Sequence, residues 1–447
     1  MLGEARIREL ANVALAASAA DETEVMFVSH DSALTRFANS AIHQNVAERN
    51  TSLTVRVVKD RRVGVASTND MAKRAIEEAV AQAEQIARFQ PEIPDWTSLP
   101  GPAPIEPVDA FLAATAGFTP EQRAEVVAVV CRQAKEQGLN ASGAFETAGF
   151  EMAVANSLGV WAYSRRSDAD YVSVIMSDTG SGYAAWAGTD ASHVDPDGLA
   201  HEAIDKALRS RQPMDIEPGD YTVILEPYAV AGMVNYLAYM GFSAQALLEE
   251  RSFMTDRLGE QVMDERISIW DDGHDPSGLP LALDFEGIPK QRVDIIQNGV
   301  ANSVVWDTRT AARAGNGHQS TGHALLAPNT FGPMPLNLFM RAGDATYDDM
   351  LAQVERGLWV TRFNYVRPIH PKQTIITGMT RDGTFLIEDG EVVGPVKNLR
   401  FTQSILEAFS NLRALGRETK LTSGWFGAVR APAVLVDGFT FTGVTQF

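Results

Sequence analysis

Residues 201–205, His-Glu-Ala-Ile-Asp, begin like the helix of a zinc protease, in which two imidazoles one turn apart face one metal. Position 205 is Asp and position 206 is Lys, so no second imidazole follows and the segment reads as a surface helix. An Asp-Thr-Gly sequence lies within 177–182. Aspartic-protease chemistry needs two carboxylates sharing one proton, hence two such loops or a symmetric dimer of a small chain. One copy in 447 residues reads instead as a Gly-rich hairpin turn. The run 270–287 gathers Asp271, Asp272, His274, Asp275, Asp284 and Glu286, close enough to hold a hard cation but without the alternate-residue pattern of a calcium loop. His318 and His323 stand five apart in a Gly-rich segment. There is no Gly-x-Ser-x-Gly elbow, no phosphate-binding loop and no Gly-x-Gly-x-x-Gly after a strand. The single cysteine, Cys131, rules out internal disulfides, and its place on the apolar stripe of a predicted helix fits a buried thiol.

The elements that would position these residues fall into an α+β pattern. An amphipathic helix over 4–19 is followed by strands at 24–30, 34–40, 52–60 and 61–68, then by a helix entered through Asn69 and Asp70 as caps. Pro91, Pro94, Pro100, Pro102, Pro104 and Pro107 give the next stretch the composition of a linker. A second helix opens at Thr119 with Pro120 and Gln122, a capping box with proline at the first helical position. Strands on either side of a turn at 156–159 and a capped helix from Asp195 complete this unit. Both units thus run helix, antiparallel strands, helix, which predicts a distant structural repeat. From about residue 218 short strands and Gly-rich turns dominate, with helices expected at 346–356 and 402–413, so an antiparallel β-rich C-terminal domain follows. The expected division is 1–90, a linker over 91–117, a central domain over 118–215 and a C-terminal domain over 216–447.

A net charge of −19 opposes binding to nucleic acid or to an anionic membrane. The first ten residues carry charges where a signal peptide needs an apolar run, and no segment approaches the roughly 18 consecutive apolar residues of a membrane span, so a cytoplasmic location is expected. One stretch stands apart. Residues 226–250 form a long helix, opened by Pro227 and apolar on nearly every side, with Asn235 in its middle.

That helix belongs to an ordered series of segments: GDYTVILEPYAVAGMVNYL (219–237), RSFMTDRLGEQV (251–262), DFEGIPKQRVDIIQNGV (284–300), STGHA (320–324), PMPLNLFMRAG (333–343), GLWVTRF (357–363) and FLIEDGEVVGPVKNLRFT (385–402). In order and spacing they resemble the TldD/TldE (PmbA) family, modulators of gyrase and peptide-maturation proteases. TRFANSAIHQN (35–45) and NSLGVWAYSRRS (156–167) resemble its N-terminal and central domains. The resemblance implies a fold and a division of labour. TldD members are zinc proteases with His-Glu-x-x-x-His on the first helix of the C-terminal domain and a cysteine ligand near the C-terminus. TldE members share the fold, lack the ligands, and with TldD enclose a chamber in which unfolded peptides are cut.

Carried onto this chain, the motif's two histidines fall on Asn235 and Met240, its glutamate on Tyr236, and the cysteine on Phe426 or Trp425. An amide oxygen and a thioether are poor zinc ligands beside imidazole and thiolate. A phenol with a pKa near 10 does not replace the carboxylate that deprotonates metal-bound water. The resemblance therefore implies a TldE-like subunit with no catalytic or metal-binding residue of its own. Those five positions would at most line a peptide chamber. Zinc is expected in a TldD-type partner, and the implied partners are that subunit or a second copy of this chain, together with unfolded peptide. Two other readings stay open: a peptidase whose metal site is rebuilt from His274 with Asp271 and Asp275 or from His318 and His323, and a homo-oligomeric peptide-binding scaffold without a protease.

Overall fold

A computed structural model describes residues 1–424 and 426–445. The first unit is α1 (Glu4–Ala17), β1 (Glu22–Ala38), β2 (Ala41–Lys59), β3 (Arg62–Thr68) and α2 (Lys73–Phe89). After a helical turn, α3 (Ala113–Ala116), the second is α4 (Pro120–Glu136), β4 (Asn140–Asn156), β5 (Trp161–Met176), β6 (Ser181–Gly188) and α5 (Pro196–Arg209). The six strands form one antiparallel sheet in the order β3-β2-β1-β4-β5-β6. Its centre is the β1–β4 pair, in register from Glu24 opposite Asn156 to Phe37 opposite Gly143. The expected repeat is therefore present as two halves arranged about that pair, sharing a sheet.

Strand alternation divides this sheet into two buried faces. Val25, Phe27 and Val55 meet Ile7 and Leu10 of α1 and Val80 and Ala83 of α2, while Phe145, Tyr171 and Ile175 meet Val127 and Val130 of α4 and Ala203 of α5. On the opposite face Met26, Met152 and Val154 pack against Leu281, Ala282 and Leu283 of the C-terminal domain. That second burial explains the long apolar runs of β1 and β4. The expected break between 24–30 and 34–40 does not occur: β1 is one strand of 17 residues, because β4 pairs it through the polar stretch at 29–32.

The capping box of α4 forms as expected, with Thr119 and Gln122 bonded reciprocally. The start of α2 differs. Asn69 and Asp70 do not cap it; Asp70 turns its carboxylate back onto the Ala72 amide at 2.9 Å, and the helix begins at Lys73. The proline-rich stretch is not a free linker either. The Glu22 carboxylate accepts hydrogen bonds from Trp96, Ser98 and Leu99, and Asn156 donates to the Pro100 carbonyl at 2.7 Å. Leu99 and Ala110 are buried, so 91–112 is a strap tied across the sheet.

The C-terminal domain begins with β7 (Gly219–Leu225), α6 (Pro227–Gly241) and α7 (Ala244–Leu248). It continues through β8 (Ile269–Asp271), β9 (Val293–Gln297), β10 (Val300–Ala301), α8 (Thr308–Ala314), β11 (Asn337–Met340) and α9 (Tyr347–Leu351). The last elements are β12 (Arg356–His370), β13 (Ile375–Glu388), β14 (Glu391–Pro395), β15 (Leu399–Ser404), α10 (Ile405–Ser410), β16 (Leu412–Gly424) and β17 (Gly427–Val444). Helices α9 and α10 are shorter than the sequence suggested: a turn at 352–355 leads α9 into β12, and residues 402–404 and 412–413 extend β15 and β16 on either side of α10. The α+β class holds, but the large sheet is mixed rather than purely antiparallel: β12 runs parallel to β7, and β11 parallel to β17. Strand β7 lies between β12 and β17, and α6 folds back over that sheet centre. Val230, Val234 and Leu237 of α6 are fully buried there with Val360, Val434 and Phe439. Among the described residues no helix is long and apolar enough to cross a membrane.

Candidate functional site

Helix α6 starts where β7 ends. Glu226 takes the first turn's exposed amides, since Ala229 and Val230 donate to its carbonyl, and Pro227 supplies the helical φ without an amide to satisfy. Most of the helix is core. The partly exposed residues are Gly232, Asn235, Tyr236 and Tyr239, spaced three and four apart and so lying on one stripe. The Asn235 amide lies against the end of β16, where a Cβ on Gly424 would stand 2.5 Å from its Nδ2, so a larger residue there would push the amide aside. No partner among the described residues reaches Asn235 Oδ1, which is itself buried. Tyr236 donates to the Val366 carbonyl of β12 at 2.6 Å. The Tyr239 ring stacks on Phe426, with centroids 5.1 Å apart, and is flanked by Phe331. Trp425 lies outside the described residues.

Met240 corrects the expected set. It is 1% exposed and packed in the main core, about 140° around the helix from Asn235 (five residues at 3.6 per turn), so it lines no chamber. The stripe holds an amide, two phenols and a stacked phenylalanine ring. Burial raises the Tyr236 phenol, which stays protonated near neutral pH and is no general base. Zinc does not fit this donor set. The arrangement suits contact with a peptide, through an amide that can meet a backbone group and rings that can cover apolar side chains.

The second constellation lies in the acidic run. Asp271 and His323 pair through His323 Nε2 and Asp271 Oδ1 at 2.8 Å, the other ring nitrogen lies 2.9 Å from Thr321 Oγ1, and Lys290 Nζ stands 3.9 Å from Asp271. This Thr-His-Asp chain has the connectivity of a nucleophilic triad but is sealed, with His323 and Asp271 at 1% and 0% exposure. Burial opposes the Asp271 charge, yet Lys290, His323 and the Asn337 amide outweigh it and hold the carboxyl below its usual range. Burial pushes both His323 and Lys290 down. The other candidate ligands are elsewhere: Asp275 accepts from Ser277 and His318 stacks on Trp306 at 4.2 Å. Among the described residues no three His, Cys, Asp or Glu side chains gather as metal ligands would. Asp284 serves the backbone, accepting from the amides of Glu286, Ile288 and Ala324, and burial with Glu286 beside it raises its carboxyl to about 7.

Sequence reasoning missed a third constellation. The inner side of α5 is not a surface: Lys206 donates to Glu226 at 2.7 Å and to Glu202 at 2.9 Å, although His201 is exposed. Glu226 also accepts from Trp359 at 2.8 Å, and Glu202 accepts from Lys420 at 2.6 Å. Tyr228 completes the knot, with its hydroxyl 3.2 Å from Glu202. Residues of α5, α6, β12 and β16 meet here, so these charges join the N-terminal body to the start of the site helix. The available signal was Glu226 itself, a carboxylate set between an apolar strand and an apolar helix.

A shared six-stranded sheet backed by helices, joined to a mixed sheet whose first strand leads into a buried helix, is the architecture of the PmbA/TldD metallopeptidases. Family profiles match in three successive pieces: PmbA/TldA metallopeptidase domain 1 over residues 23–87, the central domain over 118–211 and the C-terminal domain over 218–443. The chain belongs to the PmbA/TldD metallopeptidase family. TldE from Thermococcus kodakarensis has the same fold, with a TM-score of 0.89 and 21% identity over 98% of this chain and 100% of that one. So does a proposed modulator of a DNA gyrase from Thermotoga maritima, at a TM-score of 0.86 and 18% identity over 98% of this chain and 100% of that one. Metalloprotease PmbA of Escherichia coli O157:H7 is 24% identical over 406 residues, 87% of this chain and 86% of its own length. A metalloprotease of Methanothermobacter thermautotrophicus is 22% identical over 244 residues, 54% of this chain and 52% of its own length. The chain thus spans about half the length of several curated relatives that it matches.

Proposed function

We propose that this chain is a TldE-like subunit that carries no metal chemistry itself, holds unfolded peptide, and works beside a zinc-bearing subunit of TldD type in a cytoplasmic protease. The observation that carries the reading is the stripe on α6. Where the family's zinc motif aligns, there stand a half-buried amide, a phenol bonded to a strand carbonyl, and a thioether sunk in the core. The cysteine position falls beside or on Phe426, whose ring covers Tyr239. Such a face excludes water and meets apolar side chains, but it neither activates water nor polarises a carbonyl.

The experiment is reconstitution. The chain is purified alone, and together with the His-Glu-x-x-x-His paralogue from its own genome, and each preparation is given an unstructured peptide. Cleavage by the pair and none by this chain alone is the expected result. Equal cleavage by the paralogue with and without this chain would show that the subunit role is wrong.

A further inference from the structure

Strand β5 is paired on both sides only over part of its length. Its register with β4 runs unbroken from Trp161 to Met176, whereas β6 pairs only Ala169–Met176. Residues 161–168 therefore lie at an open edge. The direction of their backbone groups follows from two hydrogen bonds. Asn156 donates to the Val160 carbonyl, so even-numbered residues face β4, and Ser167 donates to the Ala110 carbonyl, so odd-numbered residues face outward. Trp161, Tyr163 and Arg165 thus turn their amides and carbonyls away from the sheet, over about 14 Å of strand.

These groups face an open cleft rather than a neighbouring strand. They form one wall of a cleft of about 650 Å³, and the proline-rich strap, through Ile105, Pro107, Val108 and Phe111, forms the other. That volume lies within the roughly 300–1,000 Å³ of ligand-holding clefts. The strap runs beside the edge without zipping onto it, touching it through Ala110 and Ser167. Its chemistry explains the gap: Pro102, Pro104 and Pro107 have no N–H to donate to a ladder. The side chains at the cleft are mixed: Phe111, Trp161 and Tyr163 are aromatic, Ile105 and Val108 aliphatic, and Glu4, Asp109 and Arg165 charged, with Arg165 lying 4.4 Å over the Phe111 ring. Glu4 accepts from the Trp161 indole at 3.1 Å, and the exposed Glu106 and Asp109 add negative charge along the strap.

The geometry points to a peptide-binding site at this edge: an extended segment adds as a further strand beside Trp161, Tyr163 and Arg165, under the strap, with apolar side chains at alternate positions and a basic flank toward Glu106 and Asp109. Backbone pairing supplies sequence-tolerant affinity, and alternate side chains enter the cleft. The site lies along the N-terminal body, with Ala282 of the C-terminal domain at its margin, and no residue of the α6 stripe lines it. It rests on the reading of this chain as a peptide holder, and the test separates the two.

The probe is a dye-labelled twelve-residue peptide of alternating valine and serine with a lysine at each end, read by fluorescence anisotropy. Arg165→Pro removes one outward amide and leaves the bonds to β4 intact, whereas Arg165→Ala keeps that amide. The proline variant is expected to bind about fivefold more weakly, the loss of one hydrogen bond, and the alanine variant within about twofold of the unaltered chain. Hydrogen exchange on the unaltered protein gives a readout that needs no variant to fold: peptide should slow exchange at the amides of Trp161, Tyr163 and Arg165. Equal binding by both variants, or protection at 235–239 with none at 161–165, overturns this site while leaving the chain a peptide holder. No binding at either place overturns both readings.

Discussion

Breaking the buried ion pair that anchors α6 should loosen the whole molecule at its junction. Lys206 and Glu226 are 2.7 Å apart, with side chains 10% and 5% exposed, so neither charge has much water to fall back on. Burial lowers the Lys206 ammonium, but Glu226 and Glu202 outweigh it and keep the group above its ordinary value. Removing one partner of such a pair costs about 3–5 kcal/mol, because the other is left buried and uncompensated. Here relief is partial on both sides. Lys206 retains Glu202 at 2.9 Å, and Glu226 retains the Trp359 and Thr361 donors. Glu226→Gln, which keeps shape and one acceptor, should therefore cost about 2 kcal/mol, and Lys206→Met about 3 kcal/mol. The double variant removes both charges together and should cost about 2 kcal/mol, leaving a coupling of about 3 kcal/mol. Urea unfolding followed by circular dichroism measures each value, and limited proteolysis between 210 and 219 shows whether the loss lies at the junction. Additive single effects, or singles below about 1 kcal/mol, would refute the reasoning that these charges are desolvated and paired.

Two other outcomes follow from the buried polar groups. Arg56 lies between Glu24 and Glu286, at 2.8 Å and 3.2 Å, where the N-terminal sheet meets the C-terminal domain. Burial raises Glu24 from 4.5 to about 7 despite Arg56, so the folded state holds a proton that the unfolded state has released. That contribution is fully present below about pH 4.5 and is lost as pH rises through about 7, an effect on the order of 3 kcal/mol; Glu24→Gln should flatten the slope of stability between those pH values. Asn235→Leu replaces a buried acceptor that has no partner among the described residues with a side chain of similar size. Thermal unfolding should show it to be stabilised by about 1 kcal/mol, while its affinity for unstructured peptide falls.

Much of the scaffold was legible because it depends on local chemistry. The Thr119–Gln122 box, proline at the start of α6 and apolar periodicity each act within a turn or two, and the repeat of helix, strands and helix followed from them. What was misread depends on distant partners. Asn69 and Asp70 have cap chemistry, but their backbone is still leaving β3. The prolines at 91–107 suggested a linker because composition does not reveal Glu22, 70-odd residues away, holding the strap. Lys206 reads as a solvated residue until Glu226 and Glu202 are seen around it. At the site, the resemblance singled out Asn235, Tyr236 and Phe426; the Asn235 amide lies against Gly424, Tyr236 bonds to Val366, and Phe426 stacks on Tyr239. The resemblance missed Tyr239, which carries the aromatic contact, and it included Met240, which helical geometry turns into the core.

The most direct measurement is the zinc affinity of the isolated chain, determined by competition against a fluorescent chelator and paired with an assay for cleavage of an unstructured peptide. An amide, phenols and a buried thioether predict no stoichiometric zinc at micromolar concentration and no zinc-dependent cleavage. One tightly held zinc per chain, with peptide cleavage that a chelator abolishes and zinc restores, would contradict the account at its centre.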